Sequence, residues 1–186
     1  MKKCSLPTVI LAAFAGTGKT MLASKYANVL DLESSVYKYD YSNMEPGFCL
    51  EHKKGCPLRP LNPDFPRNYI QAIKENMGKY DYVLTRCDLE KLIPPEDKDL
   101  IQPIFVLPHP DAWHEVCLRY RARGNTETWI FHMSNIWNER LRAVSATHAI
   151  YLNTGENLES YLLHSQFPQL VPKPAKECQD PRCVCC

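Results

Sequence analysis

Residues 7–30 read PTVILAAFAGTGKTMLASKYANVL, an apolar run broken by AGTGKT and resumed with helical spacing. This is the order in which a β-strand delivers a phosphate-binding loop to the N-terminus of a helix. No other segment constrains the fold as much. A strand that leads into such a helix returns to its sheet by a crossover, which favours parallel pairing. The pattern G-x-x-x-x-G-K-S/T asks for glycine where this chain has Ala13. The demand there is for a compatible backbone dihedral, so one methyl group weakens the match without breaking it.

The rest of the chain supplies the alternation that the first segment asks for. Thr8–Phe14 reads as a buried strand and Lys19–Val29 as a helix. Leu30–Tyr39 reads as a short strand ending in a polar loop, in which Tyr37, Tyr39 and Tyr41 alternate. Residues 42–66, rich in Pro, Gly, Asn and charge, form an irregular excursion. Asn68–Lys79 is predicted helical, Tyr82–Thr85 a strand, and a short helix from Asp88 ends by Pro94. Pro103–Leu107 is the next strand. A helix over Asp111–Arg123 has Asp111 as cap or first-turn acid. Gly124-Asn125 breaks it before a second helix from Glu127 to Val144. Ala149–Leu152 and Asn157–Leu163 are the last strand and helix, and a loose tail follows from Phe167. The fold class is therefore α/β: a P-loop NTPase-type three-layer αβα sandwich with a mostly parallel sheet. Residues 1–166 form the domain, with a helical lid at about 111–145, and 167–186 form a Cys-rich tail.

A chain of 186 residues can bury a full core. Its net charge of +1 gives no overall pull toward nucleic acid or acidic membranes, although a local basic groove remains open, for which Lys53, Lys54, Arg59 and Arg67 are candidates. No run approaches the ~20 apolar residues that span a bilayer. Lys2 and Lys3 before an apolar run sketch a secretion signal, but cleavage there would destroy GTGKT. The cysteines number nine, an odd count, and Cys4, Cys49, Cys56, Cys87 and Cys117 are scattered, as expected of reduced thiols in the cytoplasm. Cys49, His52 and Cys56 share one loop, while Cys178, Cys183, Cys185 and Cys186 crowd the tail. The last three are too tightly packed for an ordinary zinc knuckle, so free thiols are preferred to a structural Zn²⁺.

A nucleoside triphosphate needs donors around its phosphates, a cation and a metal ligand. Backbone amides of Ala15, Gly16, Thr17 and Gly18 supply the donors, and the two glycines allow close approach. Lys19 reaches the β and γ oxygens, and the Thr20 hydroxyl is the Mg²⁺ ligand. Asp31 lies at the expected carboxyl end of a strand, where ligands bind in open parallel sheets, and is the candidate to accept an acceptor hydroxyl's proton. Ser34, Ser35, Tyr37 and Asp40 are its substrate-side companions; a cap in a solvated turn is the alternative for Asp31. Asp88 either reaches Mg²⁺ through water or caps the helix that it precedes. Arg119 and Arg123, four apart beside the Gly-Asn break, suit a lid that neutralises a transferring phosphoryl group. Arg121 points elsewhere.

The series AFAGTGKT, DLESSVYKY, NPDFPRNYIQAIKENMGKYDYVL and RYRARGN resembles a group of small phage and bacterial P-loop kinases. That group includes phage 5-hydroxymethyluracil DNA kinases and lies near the nucleoside monophosphate kinases. The resemblance spans about residues 7–163. It implies an ATP- and Mg²⁺-dependent transfer to the hydroxymethyl group of a base in phage DNA, or to a related nucleotide, inside a bacterial cytoplasm. It also implies that Gly16, Gly18, Lys19, Thr20, Asp31, Arg119 and Arg123 carry that activity. Ala15 stands where proline is common in such loops, Arg86-Cys87 replaces small polar residues, and GFCLEHKKGCPLRP and the Cys tail look like additions. A nucleotide-binding switch that recruits a partner is the contrasting reading, because no hydrophobic run ends cleanly in Asp.

Overall fold

The computed structural model describes residues 7–42, 60–144 and 149–174. Five strands, β1 (Val9–Ala13), β2 (Val29–Asp31), β3 (Tyr82–Arg86), β4 (Ile104–Pro108) and β5 (Ala149–Leu152), form one sheet in the order β2-β3-β1-β4-β5. All four pairings are parallel. The helices are α1 (Lys19–Lys25), α2 (Ser34–Lys38), α3 (Arg67–Asn76), α4 (Trp113–Ala122), α5 (Glu127–Ala143) and α6 (Leu158–Leu163). The expected α/β class holds, with helices on both faces of a parallel sheet.

The central strand explains this layering. VILAA in β1 is apolar throughout because both of its faces are covered. Leu11 and Ala13 face one core with Leu22, Leu84, Val106, Leu158 and Leu162. Ile10 and Ala12 face the other, with Tyr69, Ile70 and Ile73 of α3. At the carboxyl end of β1, Phe14 packs into a third cluster with Val116, Tyr120, Ile130 and Trp137 of α4 and α5. The chain leaves β1 for β2 on one side and later crosses to β4 on the other. That reversal puts a crevice at the carboxyl end of β1.

Several boundaries differ from expectation. The first helix stops at Lys25, because Tyr26 turns extended and bridges to Pro172. The expected strand over Leu30–Tyr39 keeps only its first residues. Glu33 then accepts a hydrogen bond from the Ser35 amide and starts α2, so the tyrosine alternation belongs to a short helix and its exit. In place of the short helix from Asp88 stand two 3₁₀ turns, Leu89–Lys91 and Pro95–Asp97. Asp111 lies in a 3₁₀ turn, Pro110–Ala112, just before α4.

The tail is not loose where it is described. Asn28 binds the Gln169 carbonyl and the Val171 amide, each at 2.8 Å, and the Tyr82 hydroxyl donates to the Pro168 carbonyl. Lys173 donates to the Lys25 carbonyl at 2.8 Å, while Phe167 and Leu170 pack on the core. Residues 167–173 therefore strap the edge formed by α1 and β2. No described helix is long and apolar enough to cross a membrane.

Candidate active site

Ala13, the position of the missing glycine, is the last residue of β1, paired with Arg86 and Val106. Its φ is not positive, so alanine fits without strain. The two retained glycines differ: Gly16 and Gly18 have φ of 81° and 101°, the left-handed region that side chains disfavour. A Cβ on Gly16 would also meet the Tyr120 ring at 2.9 Å.

Every carbonyl from residue 13 to residue 17 is engaged. Lys19 Nζ donates to Ala13 at 2.7 Å and to Phe14 at 3.1 Å. Tyr120 donates to Ala15 at 2.7 Å, Arg119 to Gly16 at 3.1 Å, and the Leu158 amide to Thr17 at 2.9 Å. Among the described residues, the Gly16, Gly18 and Lys19 amides donate to no carbonyl. A turn whose carbonyls are all held by other groups, while its amides stay open at a helix start, has the form of an anion nest.

Beside the nest, the Thr20 hydroxyl donates to Asp31 Oδ2 at 2.9 Å. Asp31 Oδ1 is buried and has no hydrogen-bond partner among the described residues. Burial raises the pKa of Asp31, against the opposing pull of the Thr20 hydrogen bond and the Lys19 charge. Burial also lowers the pKa of Lys19, with the Asp31 carboxylate resisting. Asn68 Oδ1 and Glu90 Oε2 share that lack of a protein partner, so Asp31 is set apart by its place beside Lys19 in the lining of a cavity.

The structure brings Lys19, Asp31, Ser34, Ser35 and Asp88 together around one cavity of about 370 Å³. Met133 and Ile136 of α5 form its apolar wall, and Lys38 and Tyr39 its rim beside α2. Sequence reading named Tyr39, with Tyr37 and Tyr41, as able to stack on a base, but missed Lys38, Met133 and Ile136. The spacing of the last two on one helical face was the available signal. Cys87 lies against the same cavity, its thiol pushed up to about 11 by burial, so it is protonated at neutral pH and not a nucleophile. A larger hollow of about 450 Å³ on α5, lined by Asn135, Asn138, Glu139 and Arg142, contains none of the loop.

Two substrate-side candidates fall outside the cavity lining. Tyr37 packs on Tyr69, with ring centroids 5.3 Å apart, and Asp40 accepts the Ser42 amide at 2.8 Å in a local turn. Asp88 lines the cavity but sits in a fork with Arg86, whose Nη2 donates to Oδ2 at 2.7 Å. Burial of Asp88 works against its charge, yet the fork wins and its pKa is lowered.

The two arginines divide. Arg119 is half-buried and bonded to the loop, whereas Arg123 caps the end of α4, exposed, with its charge near enough to Lys19 to oppose the ammonium. Arg121 pairs across the Gly124 break with Glu127 at 2.6 Å. The proposed lid is thus anchored at its base: Val116, Cys117 and Tyr120 are core.

Thr20 and Asp31 offer the hard oxygen donors that Mg²⁺ takes alongside substrate phosphates, and they fit such an ion. Among the described residues no group of three or more His, Cys, Asp or Glu could hold a metal. The Cys49, His52 and Cys56 loop, the tail cysteines, and Lys53, Lys54 and Arg59 lie outside the described residues. No protein-family model matches the chain, and no curated protein matches its sequence.

Proposed function

We propose that the chain is an ATP-dependent kinase that transfers the γ-phosphoryl group to a hydroxyl of a nucleotide-type acceptor, foremost the hydroxymethyl group of 5-hydroxymethyluracil in DNA. The observation that carries this reading is Asp31, a carboxylate with one buried oxygen that has no protein partner among the described residues, in the lining of the cavity that also takes in the loop lysine. A switch that only binds nucleotide has no use for such an oxygen; a kinase needs one to take a proton.

On this reading, the nest amides and Lys19 hold the phosphates of ATP. Asp31 Oδ1 accepts the proton of the acceptor hydroxyl as its oxygen bonds to the γ-phosphorus. The bond from that phosphorus to the β–γ bridging oxygen breaks, and ADP carries away the electron pair. Lys19 and Arg123 offset the charge spread over the moving group. Magnesium, when bound, neutralises phosphate charge; Thr20 and Asp31 Oδ2 would hold it, which leaves Oδ1 to the proton.

The test is ATP consumption with hydroxymethyluracil DNA, compared with free nucleoside monophosphates. Phosphate incorporation into DNA supports the foremost acceptor, and into the monophosphates a nucleoside monophosphate kinase. If neither is phosphorylated and Lys19→Ala behaves as wild type, the kinase reading fails. The Arg86 fork on Asp88 favours a second reading, a nucleotide-binding switch, because it occupies the carboxylate that follows β3. Slow acceptor-independent hydrolysis and a captured partner are its expected signs.

A further inference from the structure

The polar contacts around Arg119 form a closed circuit between three segments that are far apart in sequence. Glu115 and Arg119, four apart on α4, pair at 2.5 Å through Oε1. The other carboxylate oxygen, Oε2, accepts the Gly155 amide at 2.7 Å. Arg119 then splits its donors: Nη1 goes to the Gly16 carbonyl at 3.1 Å and Nη2 to the Glu156 carbonyl at 3.2 Å. The Leu158 amide on the Thr17 carbonyl and the Thr154 hydroxyl on the Asp111 carbonyl close the ring.

We infer that Glu115 is a positioning residue for phosphate binding, acting through Arg119 on Gly16 and through the Gly155 amide on the turn after β5. The inference rests on the reading that the loop binds the phosphates of a nucleotide. Its physical basis is preorganisation. Arg119 is a long side chain with many rotamers, and an unguided guanidinium beside an anion site would swing toward the anion. Glu115 holds it instead on a loop carbonyl, which keeps that carbonyl turned away from the nest. The same carboxylate fixes the turn at residues 153–157, whose neighbour Leu158 bonds the next loop carbonyl. Loop and turn therefore order together, and a polyphosphate in the nest tightens a turn that it does not touch.

The experiment is calorimetric binding of inorganic tripolyphosphate and of ATP to the full chain, with amide hydrogen exchange over residues 153–158. Wild type is expected to bind both ligands and to slow exchange in that turn on binding. Glu115→Ala should weaken both by about tenfold, because it frees Arg119 and the turn together, and abolish the slowing in the turn. Glu115→Gln offers one acceptor oxygen to two donors, so it can serve only one partner and should fall between wild type and Glu115→Ala in both readouts. Arg119→Lys, which lacks the planar fork, should mimic Glu115→Ala if that variant does not fold. Undiminished affinity in Glu115→Ala, or a turn that still slows, overturns the inference. Failure of wild type to bind either ligand overturns the nucleotide reading itself, and the inference with it.

Discussion

The loop and the cavity beside it share Lys19 but are built on opposite principles. Around the loop, five successive carbonyls are held, one aromatic ring sits against Gly16, and α4 is sunk in the core. Around the cavity, Asp31 keeps one oxygen without a partner, and the walls come from short or amphipathic pieces such as α2 and α5. On the proposed reading, the donor side is thus fixed before anything binds, as phosphates require of a preorganised nest. On the same reading, the acceptor side keeps its unsatisfied group for the molecule that would react.

The largest expected effect lies on the cavity side. Asp31→Asn should lower kcat by about 10²–10⁴-fold, the usual worth of a positioned base, with the affinity for ATP measured without Mg²⁺ unchanged in calorimetry. A matching loss of ATP affinity would erase the distinction between the two regions. Next comes Arg140, buried under the cavity floor, where it bonds the Cys87 carbonyl at 3.2 Å and pairs with Glu90. Arg140→Leu should destabilise the fold by about 2–3 kcal/mol in denaturant titration. Glu90 keeps some water, so the cost falls short of that for a fully buried pair. On the loop side, Gly16→Ala should cost about 1–3 kcal/mol and abolish tripolyphosphate binding, because both φ and Tyr120 oppose a Cβ. Ala13→Gly, which restores the usual loop pattern, should instead destabilise by about 0.5–1 kcal/mol without tighter binding, since the position is strand.

The smallest effect is a pH shift. The base must be ionised, so kcat/KM should rise with pH through a limb above the usual carboxylate range. Thr20→Val removes the bond that holds the carboxylate charged and should push that limb higher still. For stability the sign is opposite. With its folded pKa raised, Asp31 contributes stability below its unfolded pKa that is lost as pH rises through the folded one. In Asp31→Asn that part of the pH dependence of Tm should vanish.

What the sequence revealed follows the same division. The strand, loop and first helix were readable because apolar run, glycines and Lys-Thr are all local, and Asp31 because strand ends mark sites in parallel sheets. The region after Asp31 misled because a helix as short as Ser34–Lys38 is too brief to display a 3.6-residue period, whereas Tyr37, Tyr39 and Tyr41 display a period of two. Arg119 was found by residue type, but its work could not be, since Gly16 is 103 residues away. The strap over residues 167–173 went unseen for the same reason. Nothing in a Pro-rich tail announces that Asn28 holds its backbone.

The chain's three tryptophans all lie in the cluster behind the loop. Trp113 stacks on Trp137 at 4.4 Å, and both Trp113 and Trp129 meet, nearly at right angles, the Tyr120 ring that lies against Gly16. The protein therefore carries its own optical gauge. Any change in the loop that moves Tyr120 alters the surroundings of the indoles, and their emission can be followed in unlabelled protein on the millisecond scale.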